Sequence, residues 1–172
     1  MMRCVLSLLF AMAVGTVAFA AEPPANQPPA VATPSTESFL ASVAAGNRFE
    51  IDSSKLALER AKSATVKSFA NRLVDEHISA GARLKEAVSQ AKLPPPPDAL
   101  DARHQAILDD LKACDAASFD KAYVEAQVQV LRETGDLFRT YATVGDNARI
   151  KRFAQDRLLA SRTDLDDASK LR

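Results

Sequence analysis

The feature that most constrains the fold of this chain is a stripe of apolar residues, spaced every three or four positions, from Val66 to Ala91. On an α-helix this spacing places the apolar side chains on one face, which must pack against another apolar face to avoid water. A similar stripe runs from Leu40 to Ala61, so residues 36–92 predict two long amphipathic helices. No segment alternates apolar and polar residues for long enough to predict a β-strand.

The rest of the chain predicts three more helices. Four prolines at 94–97 end the second helix, and we expect Asp98 to cap a short third helix that reaches about Cys114. A fourth helix is predicted over residues 118–144, and a fifth is predicted to begin after a cap at Asn147. Long helices joined by brief loops predict an all-α, antiparallel helical bundle.

The N-terminus has the pattern of an export signal. Arg3 precedes an apolar run over residues 4–19, and Ala18-Phe19-Ala20 fits the small-x-small pattern of a cleavage site. An uncleaved anchor is the alternative, but this run is shorter than the roughly 20 residues that span a bilayer. We therefore expect a signal peptide (1–20), a disordered proline-rich linker (21–35) and a folded domain (36–172). The mature protein is expected to be soluble and periplasmic, or otherwise exported.

The charges of the chain are balanced, with 22 basic and 22 acidic residues. This balance provides no electrostatic basis for binding nucleic acid or an anionic membrane surface, so neither is expected as a partner. No second long apolar run follows the signal, so we expect no integral membrane segment after cleavage. Another protein of the cell envelope remains a possible partner. Because Cys114 is the one cysteine outside the signal, the domain must rely on its apolar core rather than on an internal disulfide.

Glu50 and His77 are the polar residues that the apolar stripes place toward the interior. His77 lies four residues after Leu73 and seven before Leu84, where the next core residue of the second helix is due. A buried carboxylate is costly unless it is paired, so we predict a buried contact between Glu50 and His77, or alternatively a metal site that uses both. The Glu-x-x-His motif of di-metal carboxylate bundles is absent from the sequence.

Other motifs give little support for catalysis. The acid-x-x-His pair formed by Asp101 and His104 falls in the first turn of the third helix, where the carboxylate suits the helix dipole and the histidine can be solvent-exposed. As a metal-binding pair these two residues are a weak candidate. No Gly-x-Ser-x-Gly, Cys-x-x-Cys or Gly-rich phosphate loop occurs, and the chain has only two histidines. We therefore assign no catalytic residue, and an enzyme is disfavoured.

Several short motifs, taken in order, resemble the bacterial exported family known as domain of unknown function 4142. These motifs are Phe49-Glu50-Ile51, Val66-Lys67-Ser68-Phe69-Ala70, Asp75-Glu76-His77, Phe119-Asp120-Lys121-Ala122-Tyr123 and Ile150-Lys151-Arg152-Phe153-Ala154. The resemblance covers residues 37–171. It implies a ferritin-like antiparallel four-helix bundle with one additional short helix, often labelled a putative outer membrane protein, whose biochemical activity is not established.

The resemblance also implies histidines on the fourth and fifth helices, where this chain has Leu131 and Asp164. Leucine cannot bind a metal, so this departure argues against metal chemistry. The leading interpretation is an exported envelope protein without a cofactor or catalytic activity, serving in stress response or as an interaction module. The alternative is a metal-binding or redox bundle that holds iron or zinc with Glu50, His77 and Asp164. Asp164 could instead pair with a protonated His77.

Overall fold

The computed structural model describes residues 34–172, and these residues form five α-helices without a strand. The helices are α1 (Thr36–Arg60), α2 (Ala64–Gln90), α3 (Ala102–Ala113), α4 (Phe119–Val144) and α5 (Ala148–Ser169). The all-α prediction is confirmed for this part of the chain. The predicted signal peptide and nearly all of the linker lie outside the described residues. None of the five helices combines the length and apolarity needed to cross a bilayer.

The helix ends agree with the sequence except at α3. The fourth and fifth helices were predicted closely, and the Asn147 side chain caps α5 by accepting hydrogen bonds from two backbone N–H groups. The prediction that Asp98 caps the third helix is wrong. The cap is Asp101, whose carboxylate accepts from the His104 N–H at 2.8 Å. The non-helical segment after the four prolines therefore extends to Asp101, and α3 begins at Ala102.

Contacts between side chains show that neighbouring long helices run antiparallel. The start of α2 meets the end of α5 through Arg72 and Asp164, and the end of α2 meets the start of α5 through Gln90 and Arg149. The other neighbouring pairs, α1 with α2, α1 with α4, and α4 with α5, pack in the same way. The short helix α3 packs against α1, where the Arg60 side chain donates to the Leu111 carbonyl at 2.9 Å. The result is a bundle of four long helices with α3 on one side.

The core of the bundle consists of two separate apolar clusters. One lies toward the α1–α2 turn and includes Phe49, Leu73, Phe119, Tyr123 and Leu131. The other lies toward the α4–α5 turn and includes Phe39, Leu84, Phe138, Tyr141 and Ile150. Polar side chains from the middle of the long helices lie between the clusters. This arrangement places the candidate site at mid-height, with apolar packing above and below it.

Candidate functional site

The polar side chains between the two clusters form a layer contributed by all four long helices. We call this set the polar layer: Asn47, Glu50, Ser53, His77, Gln127, Arg157, Ser161 and Asp164. All of these except Asn47 are buried. Because buried polar groups normally require partners, the hydrogen bonds of the layer indicate what it can do chemically.

Glu50 is the least compensated member of the polar layer. Its side chain is 2% exposed, and neither carboxylate oxygen has a hydrogen-bond partner among residues 34–172. Burial raises the pKa of Glu50 well above its usual range, and the nearby carboxyl group of Asp164 raises the pKa further. Both effects favour the neutral form of the Glu50 carboxyl group.

His77 is also held in a neutral form. It is 6% exposed, and its Nδ1 lies 3.1 Å from the side-chain oxygen of Asn47, so Nδ1 carries the proton and donates it. The other ring nitrogen, Nε2, is buried without a partner in the described structure. Burial lowers the pKa of His77 to about 3, and the positive charge of Arg157 contributes in the same direction. Gly81 makes room for this contact, since a Cβ there would lie only 3.0 Å from the Asn47 amide nitrogen.

A small internal cavity adjoins Glu50 and His77. Its volume is about 20 Å³, and Asn47, Thr134 and Arg157 contribute the rest of its polar wall. A volume of this size accommodates a single water molecule, which needs two to four polar partners. The cavity is therefore far too small for an organic substrate.

Asp164 lies on the α2 side of the layer and takes part in an ion-pair network. Arg72 Nη1 donates to Asp164 Oδ1 at 2.8 Å and to Glu76 at 2.9 Å, while Arg72 Nη2 donates to Asp167 at 3.0 Å. The second oxygen of Asp164 is buried and has no hydrogen-bond partner in residues 34–172. Burial raises the pKa of Asp164 to about 6, against the opposing effect of Arg72. The Arg72 side chain thus donates hydrogen bonds to three carboxylates, one from α2 and two from α5.

Comparison with known proteins identifies the family. The profile of the family described as a domain of unknown function, DUF4142, matches residues 20–171. The chain belongs to the DUF4142 family. Comparison with curated proteins and with solved structures gives no significant match. The resemblance drawn from the short motifs is therefore confirmed.

Two contacts predicted for this DUF4142 domain are wrong. Glu50 and His77 both point inward, as the stripes predicted, but they do not hydrogen-bond to each other, because Asn47 is the partner of His77. Asp164 does not pair with a protonated His77 either, because Arg72 neutralises Asp164 and His77 resists protonation. The apolar stripes predicted the direction of the Glu50 and His77 side chains but not their partners.

The metal assignment of Glu50, His77 and Asp164 stays a prediction. Within the described residues, no three His, Cys, Asp or Glu side chains are arranged so that they could hold a metal ion. Leu131, which stands where the family resemblance implies a histidine, is buried among apolar residues. The second histidine, His104, was expected to be exposed, but it is buried with its ring 5.5 Å from that of Phe49 and its Nδ1 2.9 Å from Asp101.

Six residues of the site region were missed in the sequence: Asn47, Ser53, Arg72, Gln127, Arg157 and Ser161. Arg157 lies four residues after Phe153 and seven after Ile150, so the apolar stripe of α5 could have revealed it as inward-facing. Gln127, four residues after Tyr123, carries the same signal on α4, and it donates to Ser53 at 2.9 Å. Arg72 lies off the apolar stripe of α2, and no local pattern indicates its reach to Asp164.

Proposed function

We propose that this DUF4142 protein is an exported, soluble, ferritin-like bundle that acts in the cell envelope without catalysis, in stress response or as an interaction module. The observation that carries the proposal is the closed centre of the polar layer around Glu50 and His77. Glu50 has no partner for proton transfer, His77 is tied to an amide, and the cavity between them holds no more than a water molecule. General acid–base catalysis needs titratable groups within hydrogen-bond reach of a bound substrate, and this centre excludes a substrate.

Export is the part of this proposal that can be tested most directly. We expect the full chain, produced in a bacterium with a C-terminal tag, to appear in the periplasmic fraction with an intact mass that begins at Ala21. The Ala18→Arg variant should retain the precursor mass, because the cleavage site requires a small residue at that position. A wild-type protein that keeps Met1 and fractionates with the cytoplasm would refute export while leaving the bundle itself unaffected.

A metal-binding or redox bundle is the second candidate, and one observation favours it. Glu50 Oε1 and Oε2, His77 Nε2 and Asp164 Oδ2 are buried without hydrogen-bond partners in the described part of the chain. Carboxylate oxygen and imidazole nitrogen are the donor atoms that iron and zinc bind in proteins. These side chains would have to move to surround one ion, because no three of them are arranged to hold a metal in the described residues.

Metal analysis decides between the two candidates. We expect the mature protein, purified without chelator, to contain substoichiometric iron, zinc, copper and manganese by mass spectrometry, at a level that His77→Ala does not change. The His104→Ala variant is the matched control, because it removes the other histidine, which lies outside the polar layer. About one equivalent of metal that disappears with His77→Ala but remains with His104→Ala would establish the metal site instead.

A further inference from the structure

A groove lies between α2 and α5. Its volume is about 770 Å³, within the range of pockets that bind small organic molecules. Side-chain hydrogen bonds close both ends: Arg72 to Asp164 at 2.8 Å, and Arg149 to Gln90 at 2.7 Å. Along α2 the two ends are roughly 27 Å apart. The groove is thus a bounded feature of the bundle, and it shares the Phe153 and Arg157 side chains with the small cavity of the polar layer.

Three arginines line the middle of this groove without ion pairs. Arg83 comes from α2, and Arg152 and Arg157 come from α5. No carboxylate of residues 34–172 forms a hydrogen bond or salt bridge with any of the three. Four acids also line the groove: Glu76 and Asp164 are bonded to Arg72, Glu86 is held by the Gln90 amide at 2.8 Å, and Asp156 is exposed. The central wall therefore presents free guanidinium groups.

Arg157 is the decisive residue because it is buried. Its side chain is 7% exposed, and it lines both the groove and the cavity beside Glu50 and His77. A guanidinium has five N–H donors, and burying such a charge is costly unless a counter-charge and acceptors are supplied. Burial lowers the pKa of Arg157, and the like charge of Arg83 lowers it further. The negative charges of Asp164 and Glu76 act on the pKa of Arg157 in the opposite direction, but both acids are bonded to Arg72.

The rest of the groove wall suits an organic group. Phe153, Ala87 and Ala160 contribute apolar surface, and Leu159 stands at the rim with 74% of its side chain exposed. Exposed leucines are unremarkable singly, but this one lines the same groove as the arginines. A ligand that combined an oxyanion with a small apolar body would match both features.

The geometry points to a binding site in the α2–α5 groove for a small organic anion, with Arg157, Arg83 and Arg152 holding its carboxylate or phosphate group. A planar guanidinium binds such groups through two parallel N–H···O bonds. The apolar wall would contact the body of the ligand. This inference goes beyond the proposed function, because it holds or fails whether or not the protein is exported or binds a metal.

Calorimetric titration of the full domain with three probes tests the site: inorganic phosphate, phenyl phosphate and benzoate. We expect saturable binding of phenyl phosphate and benzoate that the Arg83→Gln/Arg152→Gln double variant weakens about tenfold or more. Arg157→Gln should weaken binding similarly. Both residues of the double variant are exposed, so this variant keeps the test decisive even if Arg157→Gln fails to fold. Leu159→Ser should weaken phenyl phosphate but not inorganic phosphate.

Arg162→Gln is the matched control, because Arg162 is an exposed arginine of α5 outside this groove. It should leave all affinities unchanged. The inference is overturned if none of the three probes binds saturably, or if Arg162→Gln weakens binding as much as the double variant does. Phosphatidylglycerol vesicles form the last arm. Binding to these vesicles without binding to any free probe would assign the groove to a membrane surface and overturn the small-molecule site.

Discussion

Replacing Arg72 with glutamine is expected to lower the free energy of unfolding at pH 7 by about 2–3 kcal/mol, measured by urea denaturation followed by circular dichroism. The reason is that Arg72 is the hydrogen-bonding partner of Asp164, which is 1% exposed. Breaking a buried ion pair by removing one partner leaves an uncompensated charge and commonly costs about 3–5 kcal/mol. We expect less than the upper value because a third of the Arg72 side chain is exposed and Asp164 can take up a proton.

A double-mutant cycle with Asp164→Asn isolates the interaction. In the Asp164→Asn background, Arg72→Gln should cost about 1–2 kcal/mol less, because the buried carboxylate is no longer present. The matched control is Arg48→Gln, which breaks the exposed pair with Asp52 and should cost less than about 0.5 kcal/mol. Strict additivity of the two changes, or equal costs at positions 72 and 48, would contradict the role assigned to Arg72.

The helices of this domain could be predicted from the sequence because their signals are local. A stripe with helical spacing shows both the helix and its buried face, and caps such as Asn147 mark the ends. The start of α3 was missed because Asp98 and Asp101 are both able to cap a helix and lie three residues apart. The sequence does not show which carboxylate meets the backbone N–H group three residues further on. That depends on where the extended proline segment ends.

The partners within the polar layer could not be predicted, because they depend on how far one helix slides along another. Asn47 and Glu50 are about one turn apart on α1, so both can lie on the side that faces α2. A relative shift of roughly one turn, 5.4 Å, decides which of them meets His77. Periodicity fixes the face of a helix but not this longitudinal position. The contact between Arg72 and Asp164 joins residues 92 positions apart, so it carries no local signal.

The position of the polar layer between two apolar clusters also explains the shifted pKa values of its ionisable side chains. Burial disfavours the charged form of any ionisable group, which raises the pKa of Glu50 and Asp164 and lowers that of His77. These shifts have opposite consequences for stability. An acid whose pKa is higher in the folded state than in the unfolded chain lowers the free energy of unfolding as pH rises. A histidine whose pKa is lower in the folded state lowers the free energy of unfolding as pH falls. The buried acids and the buried histidine therefore make opposing contributions to the change in free energy of unfolding with pH.

Substituting His77 isolates its own contribution to the pH dependence of stability. In metal-free buffer with chelator, we expect the stability of the wild type relative to His77→Leu to fall by up to about 4 kcal/mol as pH decreases from 7 toward 3. In the unfolded chain the histidine takes up a proton near its ordinary pKa of 6.5, whereas the folded protein resists protonation until about pH 3. Between these values the folded state binds fewer protons, so acid favours unfolding. Urea denaturation at a series of pH values measures the difference.

Glu50→Gln provides a control with the opposite sign. The amide cannot ionise and keeps the shape of the side chain, so its stability relative to the wild type should increase as pH rises through the elevated pKa of Glu50. The groups that act on His77 from neighbouring positions are Arg157 and Arg72, which lower its pKa, and Glu76, which raises it. If nuclear magnetic resonance showed the His77 ring titrating near 6.5, or if wild type and His77→Leu lost stability in parallel on acidification, the ring would have to be solvated rather than buried. The burial of His77 would then no longer support the proposal that this centre takes no part in acid–base catalysis.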